Sequence, residues 1–239
     1  MFEANTQRIQ TLASRIDGWL ADHEGRLLYE LARRCTGRGV IVEIGSWKGR
    51  STVWLASGSK AGARVTVHAI DPHTGSPEHR PGGARVATFE EFRANVARAG
   101  VDDLVMPRVK PSLEVAASFD RPVELLFIDG DHSYEAVLAD FRAWFPMVLT
   151  GGVVAFHDTI GWPGPERVAE EELYRSSRFR RVRLCGSIVY GIKTERASVV
   201  ARAHNRYALT VKHLVEIARR ARVPRPLRAA AGAVVRRVQ

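Results

Sequence analysis

The sequence predicts an α/β protein with a doubly wound, mostly parallel, Rossmann-like sheet. Apolar, β-rich runs alternate along the chain with stretches of helical periodicity, and this alternation favours parallel strands joined by right-handed helical crossovers. The first run ends in a glycine-spaced loop that opens a helix, and the last two runs are joined by a short turn. We therefore expect seven strands, the last two forming a hairpin, with ligands at the carboxyl ends of the parallel strands.

The predicted elements follow from local periodicity. Two N-terminal helices, the first marked by Ile9, Leu12 and Ile16 and the second beginning near Leu27, are expected to cap the sheet edge or the mouth of a binding site. The predicted strands are 40–44, 65–70, 104–109, 123–128, 153–156, 181–184 and 188–192, and the predicted helices between them are 52–59, 89–99, 112–117 and 134–145.

Composition bounds the class of protein. The 239 residues, 45% of them hydrophobic, suffice for one sizeable core with appendages, which we divide into an N-terminal cap (1–39), a core (40–193) and a tail (194–239). A signal-peptide pattern and a bilayer-length apolar run are both absent from the sequence, so we expect a cytoplasmic protein. Cys35 and Cys185 lack metal-ligand spacing and are interpreted as buried thiols.

The positive charge belongs to the tail. The net charge is +10, but twelve of the 36 Lys and Arg and two of the 26 Asp and Glu lie between Lys193 and Gln239, which leaves 24 of each sign before them. This balance argues against a nucleic-acid groove over the active face. We favour a tail packed on its own domain or on a dimer mate, with a peripheral membrane surface or an acidic partner as the alternative. Two segments are predicted to be amphipathic: the face formed by Tyr207, Val211, Leu214, Val215 and Ala218, and the short helix Leu227–Val238.

The loop after the first strand indicates a nucleoside-type ligand. Gly45 and Gly49 are four positions apart, and Trp47 occupies the place where a dinucleotide fingerprint needs a glycine, so a pyrophosphate is not expected. With Glu43 before it, the pattern resembles the first motif of the class I S-adenosylmethionine-dependent methyltransferases, E-x-G-x-x-x-G. The resemblance implies S-adenosylmethionine as cofactor. The cofactor-binding residues that we expect in this region are Glu43, Gly45, Ser46, Gly49 and Ser51.

Two further positions are candidates for cofactor contacts. Asp71 ends the second strand, where an acid can accept both ribose hydroxyls; an Asp before Pro72 also forms turns, but beside the glycine loop we favour ribose binding. Ser112 follows the third strand, at the position that lies by the adenine in the resembled family. A helix N-cap explains Ser112 equally well, and we rank the cap first.

Two carboxylates are predicted to lie close together. Asp129 follows the fourth strand and Asp158 the fifth, and neighbouring parallel strands release their carboxyl ends at the same edge. Carboxylates so close must share a proton, titrate abnormally or hold a cation, and Mg²⁺ suits such a pair.

The chain from Val40 to about Lys193 resembles the metal-dependent small-molecule O-methyltransferases of the catechol and sugar types, with cephalosporin-hydroxylase-type relatives. The resemblance implies metal ligation by Asp129, His157 and Asp158, a cofactor contact for Asp129, and His132 as general base. His157 stands where the family has a carboxylate, and an imidazole ligand shifts the preferred metal from Mg²⁺ toward Mn²⁺, Fe²⁺ or Zn²⁺. His157 fits equally well as a residue that hydrogen-bonds to the metal ligands without contacting the metal. The alternative for His132 is a structural role, in which it starts a helix and its ring hydrogen-bonds to Asp131 or Asp129.

The predicted function is transfer of a methyl group from S-adenosylmethionine to a hydroxyl of a small molecule of sugar or natural-product type, with metal assistance. The alternatives are a metal-dependent hydroxylase or oxygenase on the same scaffold, and a non-catalytic cofactor-binding protein. Loop 72–85 and the turn 161–165, which contains Trp162, are expected to border the acceptor, or else to be simple connections. A homo-oligomer is compatible with the sequence.

Overall fold

A seven-stranded sheet forms the centre of the computed structural model, which describes residues 2–76 and 85–220. The strand order is β3-β2-β1-β4-β5-β7-β6. The first five strands pair in parallel, whereas β7 lies antiparallel between β5 and β6. The predicted fold class is confirmed. The strands are β1 Val40–Ile44, β2 Val67–Ile70, β3 Val105–Arg108, β4 Val123–Ile128, β5 Val148–Phe156, β6 Phe179–Cys185 and β7 Ile188–Lys193.

Helices cover both faces of the sheet. They are α1 Phe2–Ala13, α2 Asp22–Arg33, α3 Arg50–Ala61, α4 Phe89–Ala99, α5 Ser112–Ala116, α6 Tyr134–Trp144, α7 Pro163–Ala169, continued by a π-helical turn Glu170–Tyr174, and α8 Val199–Arg220. Successive strand residues point to opposite faces. Ile41 therefore packs in a core with α1 to α4, and Val42 packs in a second core with α5 to α8. Burial on both faces explains why β1 and β4 are apolar almost throughout.

The N-terminal helices belong to the first of these cores. Gly58 of α3 lies so close to the Tyr29 carbonyl of α2 that a side chain would overlap it, which brings the two helices into tight contact. The link after α1 buries Ile16 and Leu20 but leaves Trp19 66% exposed. The proposed division of the chain at residues 39 and 193 stays a prediction.

The turn predicted at 161–165 is wrong beyond Trp162. Trp162 is the N-cap of α7 and Pro163 opens the helix, a position that tolerates proline because the first helical N–H has no partner in the helix. Gly164 approaches the backbone of His132 so closely that a side chain would not fit. α7 is therefore seated against the loop that follows β4.

The inward face of α8 differs from the predicted one. Val211 is buried as expected, but Tyr207 and Leu214 are exposed, while Asn205 and Lys212 are buried. Asn205 Oδ1 accepts from the Val182 N–H at 3.1 Å, and its Nδ2 donates to the Phe179 carbonyl at 2.9 Å. Polar anchoring to β6 therefore selects this face. The side chains of Val215 and Ala218, the segment Leu227–Val238 and residues 77–84 of the predicted acceptor loop lie outside the described residues.

The described helices include none with the length and apolar character required to cross a membrane.

Candidate active site

A cavity of about 840 Å³ opens at the carboxyl ends of the parallel strands. Cavities for drug-sized ligands span roughly 300–1,000 Å³, so this one lies toward the upper end of that range. Its walls come from the loops after β1, β2, β4 and β5, from α3, α5 and α6, and from the link between α1 and α2. The predicted site residues that border it are Gly45, Ser46, Ser51, Asp71, Ser112, Asp129, His132, His157 and Asp158.

The glycine loop after β1 is shaped by three left-handed residues. Gly45 has φ +82°, Trp47 has φ +46° and Gly49 has φ +92°. At Gly45 a Cβ atom would overlap the Asp129 carbonyl oxygen, so only glycine allows the β1 and β4 loops to meet there. Gly49 is the N-cap of α3 and packs beside Phe92, away from the cavity wall.

Glu43 lies behind this loop. Its carboxylate accepts a hydrogen bond from Thr52 Oγ1 of α3, and complete burial raises the pKa of Glu43 to about 8. Glu43 does not border the cavity, and its carboxylate contacts α3 instead.

Asp71 ties the glycine loop to the end of β2. Its Oδ2 accepts from the backbone N–H groups of Ser46 and Trp47 at 3.0 and 2.7 Å, and its Oδ1 accepts from the His73 N–H at 2.6 Å. A carboxylate has about four acceptor positions, so Asp71 retains capacity toward the cavity that it borders. The buried Ser46 hydroxyl has no hydrogen-bond partner within the described part of the chain and lies at the same wall.

The interpretation of Ser112 as a helix N-cap is wrong. Pro111 is the N-cap of α5, and Ser112 Oγ accepts from Trp144 Nε1 at 2.8 Å. The hydroxyl also interacts with Asp140, whose pKa is raised to about 6 by burial in spite of that bond. Asp140 borders the cavity and was missed from the sequence. The sequence pattern that could have identified Asp140 is its position three residues after Val137 and four before Trp144, which places an acid on the apolar face of α6.

The strand-end acids meet as predicted. His157 Nδ1 lies 2.9 Å from Asp129 Oδ1 and 3.1 Å from Asp158 Oδ2, so one ring nitrogen bridges the two carboxylates. Asp158 Oδ2 also lies 3.1 Å from His132 Nε2. Asp129, His132 and Asp158 each offer one ligand atom to a set whose members lie within 4.8 Å of one another.

His157 is buried among carboxylates. Its second ring nitrogen, Nε2, lies 3.4 Å from Oε2 of Glu24, another residue that sequence analysis missed. Burial alone lowers the pKa of His157, but the surrounding carboxylates raise it well above its ordinary value. The pKa of Asp158 is lowered because hydrogen bonds from both histidines outweigh its burial. Burial raises the pKa of Asp129.

His132 is packed between a carboxylate and an indole. Its ring stacks on Trp162 with centroids 4.1 Å apart and planes at 24°, while Asp158 contacts its Nε2. Asp131, the acid next to it in sequence, accepts instead from the Ser133 N–H at 2.7 Å. Trp162 borders the cavity, and its place on the acceptor side stays a prediction. The site thus combines an oriented imidazole, two carboxylates and aromatic walls.

The chain is similar to known methyltransferases in sequence and fold. Residues 42–159 match a protein family described as a methyltransferase domain. The catechol O-methyltransferase of Mycobacterium tuberculosis (strain ATCC 25618 / H37Rv) is 37% identical over 109 residues, which are 45% of this chain and 43% of that protein. The chain therefore spans about half the length, or less, of the curated relatives that it matches.

Many solved structures share the fold, among them three that are O-methyltransferases by their names. The O-methyltransferase NovP superposes with a TM-score of 0.62 at 20% identity, covering 73% of this chain and 81% of NovP. The O-methyltransferase TomG of Streptomyces achromogenes, solved with SAM, gives 0.57 at 20% identity, with 80% and 89% covered. CalS11, a TDP-rhamnose 3'-O-methyltransferase of calicheamicin biosynthesis, gives 0.52 at 18% identity, with 80% and 93% covered.

Proposed function

Because this chain belongs, through residues 42–159, to the class I S-adenosylmethionine-dependent methyltransferases, we propose that it moves a methyl group from S-adenosylmethionine to a hydroxyl of a small molecule. The observation that carries this proposal is one cavity with two chemically different ends. The glycine loop with Asp71 and Ser46 forms one end, and the cluster of Asp129, Asp158 and His132 forms the other. A nucleoside donor suits the first end and a hydroxyl acceptor the second.

His132 is the proposed general base. A hydroxyl is a weak nucleophile at neutral pH, and a positioned imidazole can accept its proton as the oxygen attacks the methyl carbon. The carbon–sulfur bond breaks with its electron pair going to sulfur, which leaves S-adenosylhomocysteine and the methyl ether. Asp158 orients the imidazole through Nε2, and the Trp162 ring restricts its rotation.

The residues at the second end also fit a divalent cation. Two carboxylates from adjacent strands give oxygen ligands, and Mg²⁺ commonly binds to one or two carboxylates while keeping several waters. We propose that Asp129 and Asp158 bind the ion, while His157 contacts both carboxylates through Nδ1 and does not ligate the ion. A bound ion would lower the pKa of a coordinated hydroxyl. Direct ligation by His132 would instead favour Mn²⁺, Fe²⁺ or Zn²⁺.

The acceptor is proposed to be a sugar or another ring-containing natural product. Trp162 and Trp19, 41% and 66% exposed, present aromatic surface at the cavity, and aromatic faces suit flat or ring-shaped ligands. CalS11 is by its name a sugar O-methyltransferase, which supports this acceptor class by fold alone.

The test is S-adenosylhomocysteine formation from S-adenosylmethionine across a panel of glycosides and phenols, with and without chelator. His132→Gln and Asp158→Asn should each lower turnover by about 10²- to 10⁴-fold while S-adenosylhomocysteine still binds. Asp131→Asn is the matched control, because this acid of the same loop contacts the Ser133 backbone instead of the cluster. Unchanged turnover in the His132→Gln variant would refute the assignment of His132 as general base. Oxygen uptake with iron and no S-adenosylhomocysteine would indicate a hydroxylase, and binding without any turnover a non-catalytic protein.

A further inference from the structure

The last helix, α8, is anchored to the domain through one face. Lys212 is 2% exposed, and its Nζ lies 2.6 Å from Glu166 Oε1 of α7 and 2.7 Å from Glu216 Oε1. Leu209 packs in the second core, and Asn205 bonds to β6. α8 is therefore held along the domain, with its opposite face turned to solvent.

That outer face is apolar. Five of the ten large hydrophobic side chains that are exposed in the described part of the chain belong to α8. Val200, Tyr207 and Leu214 follow one another at intervals of seven residues, which places them on one side of the helix. The five side chains are Val199, Val200, Tyr207, Leu214 and Ile217, with exposed fractions of 71, 79, 53, 59 and 62%. We call this set the outer stripe.

The charges beside the outer stripe are basic. Arg206 is exposed next to it, and Arg196 and Glu195 are both exposed just before the helix. Glu216 is the only acid between residues 199 and 220, and it is paired with the buried Lys212. The sequence beyond Arg220 adds five arginines and no acid. An apolar stripe with basic flanks is complementary to an anionic lipid surface, whereas two such helices placed together would bring like charges into proximity.

We propose that the outer stripe of α8 docks the protein on an anionic phospholipid surface. The apolar side chains would enter the boundary between headgroups and acyl chains, and Arg206 would lie at the level of the phosphates. This interaction is independent of methyl transfer, because the outer stripe shares no residue with the cavity.

The experiment is flotation of the full chain with vesicles of phosphatidylcholine alone, or of phosphatidylcholine containing phosphatidylglycerol. The protein should float with the anionic vesicles, and added salt should weaken binding because lipid charge is screened. Leu214→Asp should lower partitioning by about tenfold or more, since it removes buried apolar area and adds a repelled charge. Arg206→Glu should lower partitioning by roughly fivefold or more.

Val109→Asp is the matched control. Val109 is 46% exposed and lies just after β3, so the same chemical change occurs away from α8 and partitioning should not fall. Circular dichroism and S-adenosylhomocysteine binding establish that each variant is folded. Absence of binding to anionic vesicles, or binding unaffected by Leu214→Asp, would overturn the proposal. A dimer seen by light scattering that Leu214→Asp dissociates, without vesicle binding, would assign the outer stripe to a second copy of the chain and overturn it too.

Discussion

Glu24 Oε2 lies 3.4 Å from His157 Nε2, although the two residues are 133 positions apart in the chain. Glu24 is buried on α2 and also accepts from the Ser187 N–H at 2.6 Å, the Ser187 hydroxyl at 2.9 Å and the Ala21 N–H at 2.8 Å. One N-terminal carboxylate thus joins α2, the β6–β7 turn and the floor of the site. Because His157 bridges Asp129 and Asp158, Glu24 helps to set the position of both acids.

Glu24→Gln should lower the free energy of unfolding by about 1–3 kcal/mol at neutral pH, because the amide cannot pair with the buried imidazolium as a carboxylate does. In the folded protein the hydrogen bonds to His157, Ser187 and Ala21 outweigh burial and lower the pKa of Glu24 from 4.5 to about 2. The stabilisation is therefore complete above pH 4.5 and is lost as the pH falls toward 2.

Urea unfolding at several pH values tests this expectation. The difference between wild type and Glu24→Gln should shrink on acidification. Glu30→Gln is the control. Glu30 pairs with Arg33 and Arg34 on the surface of α2, so this variant should change stability by less than about 0.5 kcal/mol. A difference that is constant across the acidic range would show that the charge of Glu24 is not what stabilises the fold.

His157→Asp should convert the site into a cluster of four acids, since the new carboxylate joins Asp129, Asp158 and Glu24. Without a cation these carboxylates repel one another, so the variant should melt at a lower temperature than wild type, and Mg²⁺ should restore much of the loss. His157→Asn removes the same imidazole without adding an acid, so Mg²⁺ should restore less. Thermal melting with chelator or Mg²⁺ measures both. Equal recovery of the two variants would argue against a cation site between Asp129 and Asp158.

Gly45→Ala should abolish S-adenosylhomocysteine binding and destabilise the protein by several kcal/mol, of the order of other overpacked or strained sites. The new Cβ would overlap the Asp129 carbonyl oxygen in addition to requiring φ +82°. Gly100→Ala is the comparison, because Gly100 has φ +67° but a Cβ added there would meet no atom within 4 Å. This variant should lower the free energy of unfolding by only about 1 kcal/mol. Calorimetry with S-adenosylhomocysteine and denaturant unfolding give the two readouts; similar losses would disprove the role of the close approach.

Glu43→Gln should make stability less dependent on pH. Burial raises the pKa of Glu43 from 4.5 to about 8, so the folded protein favours the neutral acid. Its contribution to stability is fully present below pH 4.5 and is lost as the pH rises toward 8, and a glutamine removes this loss. The variant should therefore gain stability relative to wild type as the pH rises through this range. Melting curves recorded across this pH range test the expectation. A difference in melting temperature between the two proteins that stays constant with pH would contradict it.

Local pattern determined most of the fold. Alternating apolar runs and helical periods predicted the parallel strands and the closing hairpin, because strand and helix periodicities are properties of short segments. The carboxyl ends of parallel strands share one edge, so the convergence of the glycine loop, Asp71, Asp129 and Asp158 could also be predicted. The resemblance added the assignment of His132 and the cofactor.

Tertiary structure alone decided which distant groups complete the site. Glu24 and His157 meet because α2 packs on α3 beside the sheet, and no short-range pattern encodes that contact. Ser112 turned toward Trp144 instead of capping α5, since a buried indole N–H requires an acceptor. On α8, Asn205 and Lys212 determined the inward face because buried backbone and carboxylate groups needed polar partners, a demand that apolar periodicity does not report.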